Sequence, residues 1–101
     1  MARLIYSETA LGDFERLTDF LLETNPQIVV ETVDLIEEAV RVLRNHPLIG
    51  RPVEAGLREL IVSRGRTGYV VLYDFAATDG AVLLLSIRHQ REAGYADWSD
   101  L

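Results

Sequence analysis

The chain contains no cysteine and no lysine. The first absence removes any disulfide framework and any thiolate metal site; it agrees with a reducing compartment, and a cytoplasmic protein is expected. The second leaves arginine to supply all ten basic side chains, each a planar, permanently charged fork suited to carboxylate or phosphate. No apolar run approaches the roughly 20 residues a membrane helix needs, and the start, "MARLIYSETALGDFERL", lacks the uninterrupted apolar stretch of a secretory signal. Repeats and low-complexity segments are also missing. Positive charge is scarce: the formal net charge is −6. A general nucleic-acid binder needs a basic field, so no direct sequence-specific DNA binding is expected.

What is present is enough for one modest core. The 101 residues are 49% hydrophobic, far from the composition of a disordered chain and sufficient for a single domain. The charge is polarised. Nine acids face only Arg3 and Arg16 between Met1 and Ala39, whereas eight arginines face four acids between Arg41 and Arg91. Either the N-terminal half is a solvated acidic element, or the second half offers a face to an anionic partner.

"ARLIYS" is short and β-prone. Ser7 then suits a helix N-cap with Glu8 in the first turn, and Leu11, Phe14, Leu17 and Leu21 recur at helical spacing. Gly12 weakens that helix by about 1 kcal/mol relative to alanine. Asn25-Pro26 marks a stop and a restart, and a second helix is predicted to about Asn45. It carries two adjacent apolar stripes, Val29/Val33/Ile36/Val40/Leu43 and Ile28/Leu35/Ala39/Val42. "NHPLIGRPVEAG" reads as a loop. Three strands follow, "LRELIVS", "GYVVLYDF" and "AVLLLSI", joined by "RGRTG" and "AATDG"; such short connections imply an antiparallel meander. The predicted fold is therefore α+β, in the order β-α-α-β-β-β, with a helical hairpin packed on one face of an antiparallel sheet. Alternation puts Tyr69, Val71, Tyr73 and Phe75 on one side of the middle strand and Val70 and Leu72 on the other. Both sides are apolar, so the face away from the helices is expected to take a partner.

The element order, the loop "HPLIGRP", the segment "LRELIVSRGRTGYVVLYDF" and the ending "LSIRHQREAGY" together resemble the ParE toxins of the RelE/ParE superfamily. These are the toxin halves of type II toxin–antitoxin, or plasmid-stabilisation, modules. The resemblance spans Arg3 to Tyr95, so residues 1–95 are expected to form one RelE/ParE-like domain and 96–101 a C-terminal tail. It implies a ParD-like antitoxin that wraps the toxin in a hetero-oligomer. It also implies either DNA gyrase as the target, inhibited by binding, or, in RelE-like relatives, ribosome-dependent cleavage of mRNA.

Cleaving RNA without a metal needs a base, an acid and cations on the phosphate. The candidates for that alternative are Arg66, Arg88, His89 and Tyr95, with Arg64 and Arg91 nearby. Against it stand the missing lysines, the acidic helices and the parity of the last strand: consecutive Arg88 and His89 point to opposite faces unless a bulge intervenes or the strand ends first. The binding reading uses the same residues more easily. Arg58, Arg64, Val70, Leu72 and Arg88 are expected to meet the antitoxin, with Arg88 extending the parity of Val82, Leu84 and Ser86. Arg88, Arg91, Tyr95 and Trp98 are expected to meet the target. Neither reading involves a metal or cofactor.

Overall fold

The computed structural model describes residues 1–64 and 67–90, without the side chains of residues 64 and 67. The chain runs β1 (Arg3–Tyr6), α1 (Glu8–Thr24), a 3-10 turn at Pro26–Ile28, α2 (Val29–Val42), β2 (Arg51–Pro52), a second 3-10 turn at Glu54–Gly56, β3 (Arg58–Arg64), β4 (Thr67–Ala76) and β5 (Ala81–His89). Among the described residues no helix is long and apolar enough to cross a membrane.

Local signals explain the helices. Ser7 is the N-cap of α1, its hydroxyl accepting the Ala10 N–H at 3.0 Å. Asn25 closes α1 by donating its N–H to the Leu21 carbonyl at 2.8 Å, and Pro26 starts the following turn where a missing N–H costs nothing. The face of α1 turned inward comprises Ala10, Asp13, Leu17 and Leu21. Leu11, expected in that stripe, is instead 55% exposed, because the buried line through Ala10, Leu17 and Leu21 runs roughly a quarter-turn round the helix from it. On α2, Thr32, Ile36 and Val40 are buried. The helix stops at Val42, three residues before the expected end, and Leu43 seals the core from the turn that follows.

The five strands form one sheet in the order β1-β5-β4-β3-β2. The predicted meander β3-β4-β5 is antiparallel, but the sheet is mixed: β1 adds to β5 in parallel, Arg3 opposite Ala81 and Tyr6 opposite Leu84. α1 is the crossover that begins this parallel connection, and it packs back on β5. Leu60, Val62, Tyr69, Val71, Tyr73, Val82, Leu84 and Ile87 meet the helices in the core. Val70 and Leu72 lie on the opposite face by alternation, Val70 only 3% exposed and Leu72 half-buried.

One irregularity resets the last strand. The register steps from Leu72 opposite Ser86 to Tyr73 opposite Leu84, leaving Leu85 as the extra residue of a β-bulge. Beyond it the pleat is inverted. Val82 and Leu84 face the helices before the bulge, and Ile87, not Ser86, faces them after it. Arg88 therefore does not continue the parity of Val82 and Leu84. It stands opposite Val70, on the other face.

Candidate functional site

β1 covers only the first half of β5, so the main chain of β5 past Leu84 has no strand beside it on that edge. Unpaired buried backbone groups are costly, about 1–3 kcal/mol each, and the start of α1 fills the gap. Ser7 donates its N–H to the Leu84 carbonyl at 3.0 Å and its hydroxyl to the Leu85 carbonyl at 3.2 Å. Nearly two turns on, buried Asp13 accepts the Ile87 N–H through Oδ2 at 3.1 Å. Two guanidiniums flank that carboxylate: Arg88 Nε lies 3.8 Å from Oδ2 and Arg16 Nη2 3.7 Å from Oδ1. Both arginines are nearly half exposed, so they offer cationic surface while being oriented from beneath.

His89 takes the other side. It pairs in register with Tyr69, and the two rings meet edge to face, with centroids 5.5 Å apart. Adjacent Arg88 and His89 thus point to opposite faces of a strand that remains regular through both.

A second polar anchor lies between α2 and β2. The buried Tyr73 hydroxyl donates to the Pro47 carbonyl at 2.7 Å and accepts the Gly50 N–H at 2.9 Å. Burial pushes the Tyr73 phenol above its ordinary value, with the Gly50 N–H and the Arg58 charge pulling the other way. Arg58 Nη1 donates to the carbonyls of Leu48 at 3.2 Å and Gly50 at 2.8 Å. Gly50 leaves no space for a side chain, since a Cβ there would stand 2.6 Å from the Tyr73 oxygen and 2.7 Å from the Glu59 carbonyl oxygen. Arg51 bridges β2 to β3 through Glu59 at 2.9 Å. Near α2, burial first, and then the Glu37 carboxylate, push the Tyr6 phenol up against an opposing pull from Arg41.

The expected site residues are therefore not one surface. Arg58 shares its face with Tyr73, whereas Val70, Leu72 and Arg88 have the parity of the other face; the Arg64 side chain lies outside the described residues. Arg66, Arg91, Tyr95 and Trp98 lie outside the described residues. Sequence reasoning missed Asp13, hidden among the solvated acids of α1. The available signal was its i, i+4 spacing with the buried Leu17. It also missed Tyr73 and Gly50 as a loop anchor. Among the described residues no three acidic or histidine side chains gather as metal ligands would.

A two-helix layer packed on a mixed five-stranded sheet is the fold this chain shares with solved toxin structures. The chain belongs to the ParE toxin family: a family model described as the ParE toxin of the type II toxin–antitoxin system parDE matches residues 4–94. It is 35% identical over 83 residues to toxin RelE3 of Caulobacter vibrioides, covering 82% of this chain and 88% of that protein. Among solved structures it is similar to the chromosomal ParDE toxin–antitoxin system of P. aeruginosa, with a TM-score of 0.70 at 22% identity over 88% of this chain and 96% of that one. The Mycobacterium tuberculosis toxin–antitoxin complex RelBE2 gives a TM-score of 0.56 at 25% identity, over 87% and 96% of the two chains.

Proposed function

We propose that this chain is the toxin of a type II module in the cytoplasm, that a ParD-like antitoxin neutralises it by binding, and that it inhibits DNA gyrase by binding rather than by covalent chemistry. The observation that carries this reading is the geometry at the end of β5. Arg88 turns to Asp13 while His89 stacks against Tyr69 on the opposite face, so the histidine and arginine of "RHQR" do not converge on one phosphate. The Arg58 guanidinium is committed to loop carbonyls. The antitoxin reading is supported by apolar side chains left in water on α1 (Leu11, Phe20 and Leu22) and at Ile5 and Ile61 on the outer sheet face. Solved relatives that are toxin–antitoxin systems support it too. Leu72 and Arg88 on the outer face are offered to the antitoxin; Arg88 with Arg91, Tyr95 and Trp98 is offered to the target.

The RelE name of the 35% identical relative favours a second reading, a ribosome-dependent mRNA endonuclease. Two assays separate them. Purified chain added to gyrase and relaxed plasmid should block supercoiling, and primer extension on transcripts after induction should find them intact. Discrete new 5′ ends together with normal supercoiling would replace the first reading with the second.

A further inference from the structure

The loop between α2 and β2 is held unusually tightly for a surface turn. His46 donates its N–H to Val42 at 2.9 Å and accepts the Ile49 N–H at 3.1 Å. Pro47 and Gly50 are tied to the Tyr73 hydroxyl, and Leu48 and Gly50 to Arg58. Each residue from 46 to 50 thus has a main-chain group in a hydrogen bond. Yet the two side chains this framework carries, Leu48 and Ile49, point into water, 59% and 57% exposed. A solitary exposed aliphatic needs no explanation. Two adjacent ones on a backbone fixed from below by a buried tyrosine, an arginine and a glycine that admits no Cβ form a preorganised apolar tip. Preorganisation raises affinity because little ordering entropy is left to lose on binding.

The segment from Arg41 to Arg51 itself holds no acid, and Arg51, at the end of the loop, is already paired with Glu59 at 2.9 Å. Arg44 lines the same cleft as Pro47, and its exposed guanidinium has no hydrogen-bond or ion-pair partner among the described residues. The complementary surface is an apolar pocket with carboxylates on its rim. A tip of two side chains suits a preformed pocket in a folded protein. A wrapping antitoxin segment would instead draw on longer apolar surface, such as the side of α1 that carries Leu11 and Leu22.

We infer that Leu48 and Ile49 are the wedge by which the toxin engages its target, entering an apolar pocket rimmed by carboxylates that meet Arg44. This rests on the reading that the chain acts by binding. The test uses the full chain with Leu48→Ala and Ile49→Ala combined, and separately Arg44→Glu. All three side chains are exposed, so the thermal midpoint should not move. At matched expression the double variant should no longer arrest growth, and its inhibition of gyrase supercoiling should fall about tenfold or more. Arg44→Glu should weaken inhibition by a smaller factor that shrinks further in high salt. Complex formation with the antitoxin encoded beside the toxin, read by native mass spectrometry of the purified pair, should be unchanged. Undiminished growth arrest by the double variant overturns the inference, and so does loss of the antitoxin complex. Failure of the wild-type chain to touch gyrase, or cut transcripts in its presence, defeats the functional reading instead; the growth-arrest comparison still judges the tip.

Discussion

Tyr73 and Asp13 meet the same need at two margins of the fold, with different chemistry. Each is a buried polar side chain that supplies hydrogen bonds to main chain the sheet cannot reach. Tyr73 is neutral, donates once and accepts once, and fixes a loop. Asp13 is an acid that accepts one N–H from β5 and sits between two half-exposed arginines. The neutral anchor is built for rigidity, and no ion in solution competes for it. The charged anchor joins the fold to its surface, because whatever binds Arg16 or Arg88 also acts on the group that holds α1 against β5. The loop end therefore resembles a fixed jig and the β5 end a responsive one.

The largest effect that would separate the two is expected at Gly50. Alanine there places a Cβ within van der Waals overlap of both the Tyr73 oxygen and the Glu59 backbone. Only one of these neighbours has a side chain to move. We expect Gly50→Ala to destabilise the fold by about 3 kcal/mol, read as a lower denaturant midpoint at unchanged slope. A loss of a few tenths would mean that the loop adjusts and that the jig is not rigid.

Much of the framework that builds this contrast was legible before any coordinates. Ser7 before an apolar helical period, Asn25-Pro26 between two such periods, and three β-rich runs joined by short glycine-bearing turns are strong local signals, and each produced the element expected. The sheet's mixed character was not legible, since the four residues of β1 contain nothing that chooses β5 as a neighbour or parallel as the direction. Nor was the bulge. Nothing in "AVLLLSIRH" marks Leu85 as the residue to be skipped, yet skipping it decides which face Arg88 takes. Asp13 was masked by composition: in a helix already carrying four other acids, one turned inward looks like the rest. Arg58 illustrates a subtler gap. Its position was set by strand parity, but its guanidinium is committed to carbonyls ten and eight residues earlier in the chain, a tertiary relation that no spacing encodes.

At the charged anchor the next largest effect is expected. Asp13→Ala leaves the Ile87 N–H without an acceptor and two arginines without their carboxylate, and should cost about 2–3 kcal/mol. Asp13→Asn can still accept the N–H and should cost clearly less. The part of the stability removed by Asp13→Asn should itself shrink at high salt, because the flanking guanidiniums are partly exposed and screened. A salt-independent difference between wild type and Asp13→Asn would show that the arginines contribute nothing and that both anchors are neutral in effect.

Tyr73→Phe should cost less than Asp13→Ala, about 1–2 kcal/mol. Phenylalanine keeps the buried ring, and of the two groups it abandons the part-buried Pro47 carbonyl can recruit water, leaving the buried Gly50 N–H to carry the cost. Its more specific signature is at the tip. Loosening Pro47 and Gly50 should raise hydrogen exchange of the Ile49 and Gly50 amides while leaving the Ile87 amide protected. Uniform loss of protection would instead report a general destabilisation and erase the distinction between the two margins.

The smallest effect is the response to alkali, and it tests whether the Tyr73 hydroxyl really acts as a buried neutral donor. Its pKa is raised by burial above the ordinary 10.0, so the folded state holds that proton more tightly than the unfolded chain does. The stability this confers is complete below pH 10.0 and is lost as pH rises from there through the raised folded value. Tyr6 is shifted the same way, by burial and then by Glu37, so its loss falls in the same window. Unfolding free energies measured from about pH 8 upward should hold level and then decline beyond the ordinary tyrosine value. In Tyr73→Phe the decline should be shallower but not absent, because Tyr6 retains its share. Parallel curves for the two proteins would mean that the phenol is ionised as easily in the fold as outside it. The loop would then be held by Arg58 and Gly50 alone.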